Sequence, residues 1–180
     1  ALYRIEKTNV LTTDANGALT LLDGQHSQGA ELSIAGQPRA GMNVIAGYAY
    51  TDAEIDGGPN DLSIIGNQPV NVAENTFNLW VSHEWQSGPF EGMGAGAGLF
   101  YVDERPGDNS NTFSLDSYTL VDLSTWYTVA SERFSTYSSI RFQLAGKNVF
   151  DEDYYLASGG NERISIGTPR TVFGSVSVEF

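Results

Sequence analysis

This sequence predicts an all-β fold: an antiparallel, up-and-down set of about eight strands with the length and patterning of a transmembrane β-barrel wall. Three observations carry the prediction. Apolar and polar residues alternate with a period of two in stretches of about ten residues. The connections between those stretches alternate between short and long. The last stretch, 170–180, is the clearest: Val172, Gly174, Val176, Val178 and Phe180 share one parity, and Thr171, Phe173, Ser175, Ser177 and Glu179 share the other. A run of this length suits a tilted strand crossing a bilayer.

The first strand is expected over 1–12, with Tyr3, Ile5 and Lys7 on one parity, followed by the turn-rich 13–17. The second covers 25–35, where Ala30, Leu32 and Ile34 alternate with Glu31, Ser33 and Ala35. Breakers at 36–41 make a compact turn into the third strand, 42–52, which sets Val44, Ala46, Tyr48 and Tyr50 on one side. A long irregular loop then reaches to about 75. The fourth strand, 76–86, carries Phe77, Leu79, Val81 and Trp85 opposite Asn78, Trp80, Ser82 and Glu84. After Ser87-Gly88-Pro89, the fifth strand, 92–103, opposes Met93, Ala95, Ala97, Leu99 and Tyr101 to Gly94, Gly96 and Gly98. Three glycines on one parity leave little side chain on that face, which would be a hole in a packed core but suits a lumen filled by something else. A polar loop over 104–117 leads to the sixth strand, 118–130, and a short turn near 132–137 to the seventh, 138–150. The loop 151–169 precedes the last strand.

Short turns follow strands two, four and six, and long loops follow one, three, five and seven. Outer-membrane barrels have short periplasmic turns and long outer loops. With the last strand ending in the periplasm, every long loop falls outside, and most of the 22 acidic residues fall in those loops.

A formal net charge of −13 argues against nucleic-acid binding, which needs clustered Lys and Arg. The absence of cysteine excludes a disulfide scaffold, a thiolate metal site and a cysteine nucleophile. No apolar run is long enough for a transmembrane helix, and mean hydropathy of −0.22 is compatible with strands that bury alternate residues in lipid. The chain enters at Ala1-Leu2-Tyr3-Arg4-Ile5 directly in strand-like alternation, without a signal-peptide pattern, and is expected to be part of something longer. No catalytic constellation is found. His26 and His83 are not spaced with carboxylates as a metal triad or nucleophile–base pair, and Asp151-Glu152-Asp153 reads as a solvated acidic loop. Gly92-Met93-Gly94-Ala95-Gly96 lacks the Lys-Ser/Thr and helix of a phosphate loop. No enzyme, cofactor or metal site is expected.

Seven motifs in order resemble TonB-dependent siderophore receptors. They include Tyr3 to Leu11, Gln28 to Leu32, Tyr48 to Asp52, and Gly94 to Gly98 with Tyr101 and Arg105. Tyr118 to Asp122 follows, and the strongest are Lys147-Asn148-Val149-Phe150-Asp151-Glu152-Asp153-Tyr154-Tyr155 and Gly167 to Val172. The resemblance implies a 22-stranded outer-membrane barrel closed by an N-terminal plug, binding a ferric siderophore outside and importing it with energy passed through TonB. It implies that this chain is a carboxyl-terminal portion of that barrel, without the plug or the TonB-contacting segment, in the outer membrane of a Gram-negative bacterium. Family members commonly bind siderophores with aromatic side chains on loops and upper strands, so Tyr154, Tyr155, Phe113, Tyr101 and Trp80 become ligand-binding candidates. The interfacial aromatic girdle is the competing reading for each. The resemblance also makes Phe180, Val178, Val176 and Val172 the comb recognised by the barrel-assembly machinery, with outer-membrane lipid as the surrounding partner. An autonomous eight-stranded outer-membrane barrel of structural or adhesive role is the alternative, and a soluble ligand-binding β-barrel is a third reading.

Overall fold

The computed structural model describes residues 1–13, 19–57, 62–130, 139–160 and 163–179. Eight long strands form one antiparallel sheet: β1 (Leu2–Thr13), β2 (Leu19–Arg39), β3 (Met42–Gly57), β4 (Asn75–Glu84), β5 (Met93–Val102), β8 (Tyr118–Ala130), β9 (Ser139–Lys147) and β12 (Thr171–Glu179). Two small hairpins lie in the long loops between them: β6 (Arg105–Pro106) with β7 (Ser114–Leu115), and β10 (Tyr155–Ser158) with β11 (Ile164–Ile166). A single 3-10 turn, Leu62–Ile64, occupies the loop after β3.

Each long strand pairs with its sequence neighbour, and the registers put the expected parities on common faces. Val176 faces Phe142, Phe142 faces Tyr127, and Tyr127 faces Met93. Further along, Leu99 faces Leu79, Leu79 faces Ala46 and Ala46 faces Ile34. One face is therefore apolar across the sheet. The opposite face carries Ser177, Arg141, Gln143, Trp126, Ser124, Glu84, Ser82 and Asn43 in the same rows. A one-residue slip in any pair would exchange the two faces, so the apolar pattern fixes the register.

β2 and β3 run further than their apolar alternation predicts. The β1–β2 ladder continues from Leu2 opposite Ala30 to Thr13 opposite Leu19, so residues 19–24, expected between the first two strands, are strand. About 9–11 residues cross a bilayer, and the 21 residues of β2 greatly exceed that. On one face of the extension Arg4 bonds Glu6 and Gln28, Gln28 bonds Asp52, and His26 bonds Asp56 at 2.6 Å. On the other, Ala53 and Ile55 of β3 are buried. One or two apolar residues on a parity make too short a run to show the period. Residues 14–18 and 131–138, which hold most of the turn expected at 13–17 and all of the one expected at 132–137, lie outside the described residues.

The sheet has two free edges. Among the described residues β1 pairs only with β2 and β12 only with β9, and every residue of β12 is exposed. This overturns the autonomous eight-stranded barrel, which needs the first and last strands to pair. Few apolar side chains are buried among the described residues: Ala53 and Ile55 at the far end of β3, where Ile55 packs with Ile64 and Val10, Ala145 in β9, and Leu115 in the β6–β7 hairpin.

Candidate functional site

The polar face of the sheet is built around the glycine stripe of β5. Trp126 of β8 and Trp80 of β4 stand opposite Gly94 and Gly98 and lay their indoles on the glycines. A Cβ at Gly94 would fall inside the Trp126 ring, and one at Gly96 or Gly98 would come within 2.7 Å of Trp80. The bare face expected to await an outside filler is thus covered by this chain's own indoles. Glu84 accepts the Trp126 Nε1 proton at 2.7 Å, and the Arg141 guanidinium stacks over the same ring at 4.6 Å from its centroid. Arg141 also comes within 3.8 Å of Glu84. The result is a fixed cation, indole and carboxylate cluster on the polar wall, with Trp80 beside it in the middle of the sheet.

Tyr101 stands on the other face. It falls opposite Phe77, in the row of Tyr48, and donates its hydroxyl to Asp103 at 2.9 Å. Asn75 links the two ends of this belt, accepting from the Tyr48 hydroxyl at 2.7 Å and donating to Asp103 at 2.8 Å. Hydrogen bonds from Asn75, Tyr101 and the Glu104 amide favour the carboxylate and hold Asp103 below its usual range against partial desolvation. Amphipathic tyrosines on an apolar face, anchored to polar groups at one end, are the geometry of an interfacial belt.

The remaining aromatic candidates gather in the outer loops. Phe113 lies flat on Gly107, where a Cβ would overlap its ring. Tyr154 is wedged against Gly167 in the same way, accepts the Thr168 amide at 3.3 Å, and stacks on Tyr118 at 4.5 Å. Tyr155, its neighbour, leaves its side chain exposed on β10, together with Leu156, and Ile164 and Ile166 of β11. The structure thus brings Tyr154 and Tyr155 together in one hairpin but gives only Tyr155 a free side chain, while Trp80 lies in the wall and Tyr101 on the opposite face.

Two residues that the sequence placed in resemblance motifs but not among the site candidates organise this region. Asn148, 3 % exposed, adopts a positive φ of 49° and donates to the Glu152 and Thr168 carbonyls at 2.9 and 3.2 Å. It accepts the Glu152 amide at 2.8 Å, and its own amide bonds Asp122. With Asp151 accepting the Arg170 amide, Asn148 ties the two ends of the last loop together. Arg105 is as deeply buried, between the β6–β7 and β10–β11 hairpins. A small polar residue at a tight strand exit is the one sequence signal that could have marked Asn148. Arg105 carried its place in an acidic loop and in the resemblance motif after Tyr101, neither of which points to a buried role.

Val172, Val176 and Val178 point to the apolar face of β12, and Val176 is 63 % exposed. Phe180 lies outside the described residues. Among the described residues no group of three or more His, Cys, Asp or Glu stands together as a metal-binding set.

The comparisons with known proteins settle which family this geometry belongs to. The family model for the TonB dependent receptor-like β-barrel matches residues 1–149. The chain belongs to the TonB-dependent receptor β-barrel family. Its curated relatives include the metal-pseudopaline receptor CntO of Pseudomonas aeruginosa, 33 % identical over all of this chain and 25 % of the relative. They also include the ferrichrome outer membrane transporter/phage receptor of Escherichia coli, 30 % identical over all of this chain and 24 % of the relative. Among solved structures, the ferric preacinetobactin receptor BauA of Acinetobacter baumannii superposes with a TM-score of 0.81 at 23 % identity, over 98 % of this chain and 26 % of that one. The siderophore receptor PiuA of the same organism gives 0.73 at 24 % identity. These likenesses show the fold. The chain spans about a quarter of the length of the curated relatives it matches, and its eight strands superpose on one stretch of the barrel chain of BauA. The relatives are transport receptors rather than enzymes.

Proposed function

We propose that this chain forms part of the barrel wall of an outer-membrane receptor that binds a ferric siderophore and imports it with energy delivered through TonB. The observation that carries the reading is coverage: receptors named for metal-pseudopaline, ferrichrome and ferrioxamine B each align over the entire chain at 31–33 % or, for ferrichrome, 30 % identity. The two-faced sheet agrees with it. The apolar face with its Tyr48–Tyr101 belt suits outer-membrane lipid, and the polar wall around Glu84, Trp126 and Arg141 suits a lumen occupied by a plug carried on the rest of the receptor. Phe180, with Val178, Val176 and Val172, fits the strand edge recognised by the barrel-assembly machinery, an apolar comb suited to strand addition. The protein acts as a receptor and transporter, with no resident cofactor and no catalytic residues.

Tyr155 is the aromatic side chain best placed to meet a ligand, because it is exposed on a hairpin whose backbone is fixed. Rigid aromatics supply contact area at low conformational-entropy cost. Full-length receptor in a host lacking its own hydroxamate receptors should take up radiolabelled iron from ferrichrome or ferrioxamine B, and should lose uptake when TonB is deleted. Tyr155→Ala should weaken binding without altering barrel stability, whereas Tyr154→Ala should loosen the loop itself. Absence of TonB-dependent uptake from a panel of hydroxamate, catecholate and carboxylate siderophores would overturn the reading.

A further inference from the structure

Three segments far apart in sequence meet at Arg105. Its Nη2 donates to the carbonyls of Tyr155 and Leu156, at 2.5 and 3.1 Å, fifty residues downstream. Its guanidinium lies 5.3 Å from the ring centroid of Tyr118, the ring on which Tyr154 stacks. The neighbouring Pro106 carbonyl accepts the Asn71 amide. Asn71 in turn makes a reciprocal pair with Ser158, donating to its carbonyl and accepting its amide, both at 2.7 Å. The loop before β4 is tied to the β6–β7 hairpin a second time, because Asn109 accepts the Val70 amide and Asn111 both accepts from and donates to the Gln68 backbone.

Arg105 is 3 % exposed and its Nη1 has no hydrogen-bond partner. A guanidinium does not shed its proton on burial, so its charge must be met by what surrounds it: two carbonyl dipoles and an aromatic face. Swinging the β10–β11 hairpin away would remove both carbonyls at once and leave a buried charge without acceptors, which is costly. The second tie, through Asn71, attaches only two residues further along the same strand. A hairpin held at Tyr155, Leu156 and Ser158 by two other loops is not built to open alone.

We propose that Arg105 is a positioning residue that clamps the β10–β11 hairpin to the other two outer loops, so that the three move as one body and Tyr155 is held where a ligand meets it. The clamp stands on the geometry alone, and its bearing on ligand binding rests on the transport function proposed above.

The test uses full-length receptor in detergent micelles, with hydrogen exchange followed at peptides covering 67–72, 155–158 and 171–179. Arg105→Met keeps an unbranched stem and removes the charge; Asn71→Ala is the milder second variant. Arg105→Met should speed exchange in 67–72 and 155–158 together by about tenfold or more, the loss of a charged hydrogen bond, with 171–179 unchanged. Asn71→Ala should act on the same two segments more weakly. The dissociation of ferrichrome or ferrioxamine B, whichever the wild type binds, should accelerate in the same order, and Arg105→Lys should restore part of both readouts. Faster exchange confined to 155–158, or no change in either segment, would show the loops to be independent and overturn the clamp. Joint loosening with unaltered dissociation would overturn the positioning role. A wild type that binds neither ferric ligand nor any other siderophore would instead count against the transport reading, while the exchange result still judged the clamp.

Discussion

Gly94→Ala is the most exacting test of the polar wall. The new methyl would overlap Cε2, Cζ2 and Nε1 of Trp126, so the indole must leave its seat. Overpacking of this kind costs about 1–3 kcal/mol. Leaving the seat also breaks the Nε1 hydrogen bond to Glu84, whose carboxylate is partly exposed, so the value of an ordinary hydrogen bond applies, about 1 kcal/mol. The stacked Arg141 loses its aromatic face, about 0.5–1 kcal/mol at a partly exposed site. Replacing glycine in a strand returns roughly 0.5–1 kcal/mol through the unfolded state. The net expectation is about 2–4 kcal/mol of destabilisation. Gly36, also in the sheet, has nothing within 4 Å of its added Cβ and provides the control. Urea unfolding of full-length receptor in detergent, read by tryptophan fluorescence and by gel mobility with and without heating, would give both values. In the double variant Gly94→Ala with Trp126→Ala the methyl no longer meets an indole, so the two costs should fall well short of additive. Equal stability of Gly94→Ala and Gly36→Ala, or full additivity in the double variant, would refute the seated-indole reasoning.

Other contacts in the molecule lead to further expected outcomes. Val176→Arg, on the apolar face of β12, should cost about 2–4 kcal/mol near the bilayer midplane in lipid refolding titrations, while Ser177→Arg on the polar face should be tolerated; equal tolerance would undo the assignment of faces. Asn148→Ala removes three side-chain hydrogen bonds and leaves alanine at a positive φ, so chemical denaturation should register about 3–5 kcal/mol, and Asn148→Gly about 1 less. Asp103, with its pKa depressed chiefly by the Asn75 hydrogen bond, contributes stability that is present above the unfolded-state value near about 4 and is lost as pH falls through the folded value. The stability gap between wild type and Asp103→Asn should therefore be constant from about pH 5 upward and shrink in more acid solution. A gap unchanged at about pH 3 would contradict that.

The wall strands were legible through an apolar parity kept over much of their length, as Phe77, Leu79 and Val81 keep it opposite Tyr101, Leu99 and Ala97. Where the alternation fails the sequence was silent. The far end of β3 keeps an apolar parity only through Ala53 and Ile55, and the two- to four-residue strands of β6–β7 and β10–β11 are too short to show a period. The glycine stripe was visible, but what fills it is decided by Trp80 and Trp126 on other strands, and cross-strand seating follows from register, which local pattern does not reveal. The aromatic candidates separated for the same reason: parity places Tyr101 and Trp80 on opposite faces, while the wedging of Tyr154 depends on Gly167, thirteen residues away. Arg105 and Asn148 act through backbone carbonyls and amides, partners that any residue type supplies.

The wall and the loops distribute information along the chain in opposite ways. In the sheet every strand pairs its backbone only with the wall strands beside it, so a break in one strand disturbs two ladders and stops there, while the Glu84–Trp126–Arg141 side chains bridge further, from β4 to β9. Such a wall behaves as a one-dimensional array that can be lengthened, shortened or rebuilt hairpin by hairpin. Above it, Asn71 reaches Ser158 across 87 residues and Arg105 reaches Tyr155 across 50. A change that the wall would absorb locally is passed on by those ties, so exchanging a single hairpin between receptors of this family should transplant cleanly below the loops and fail above them unless all three loops travel together.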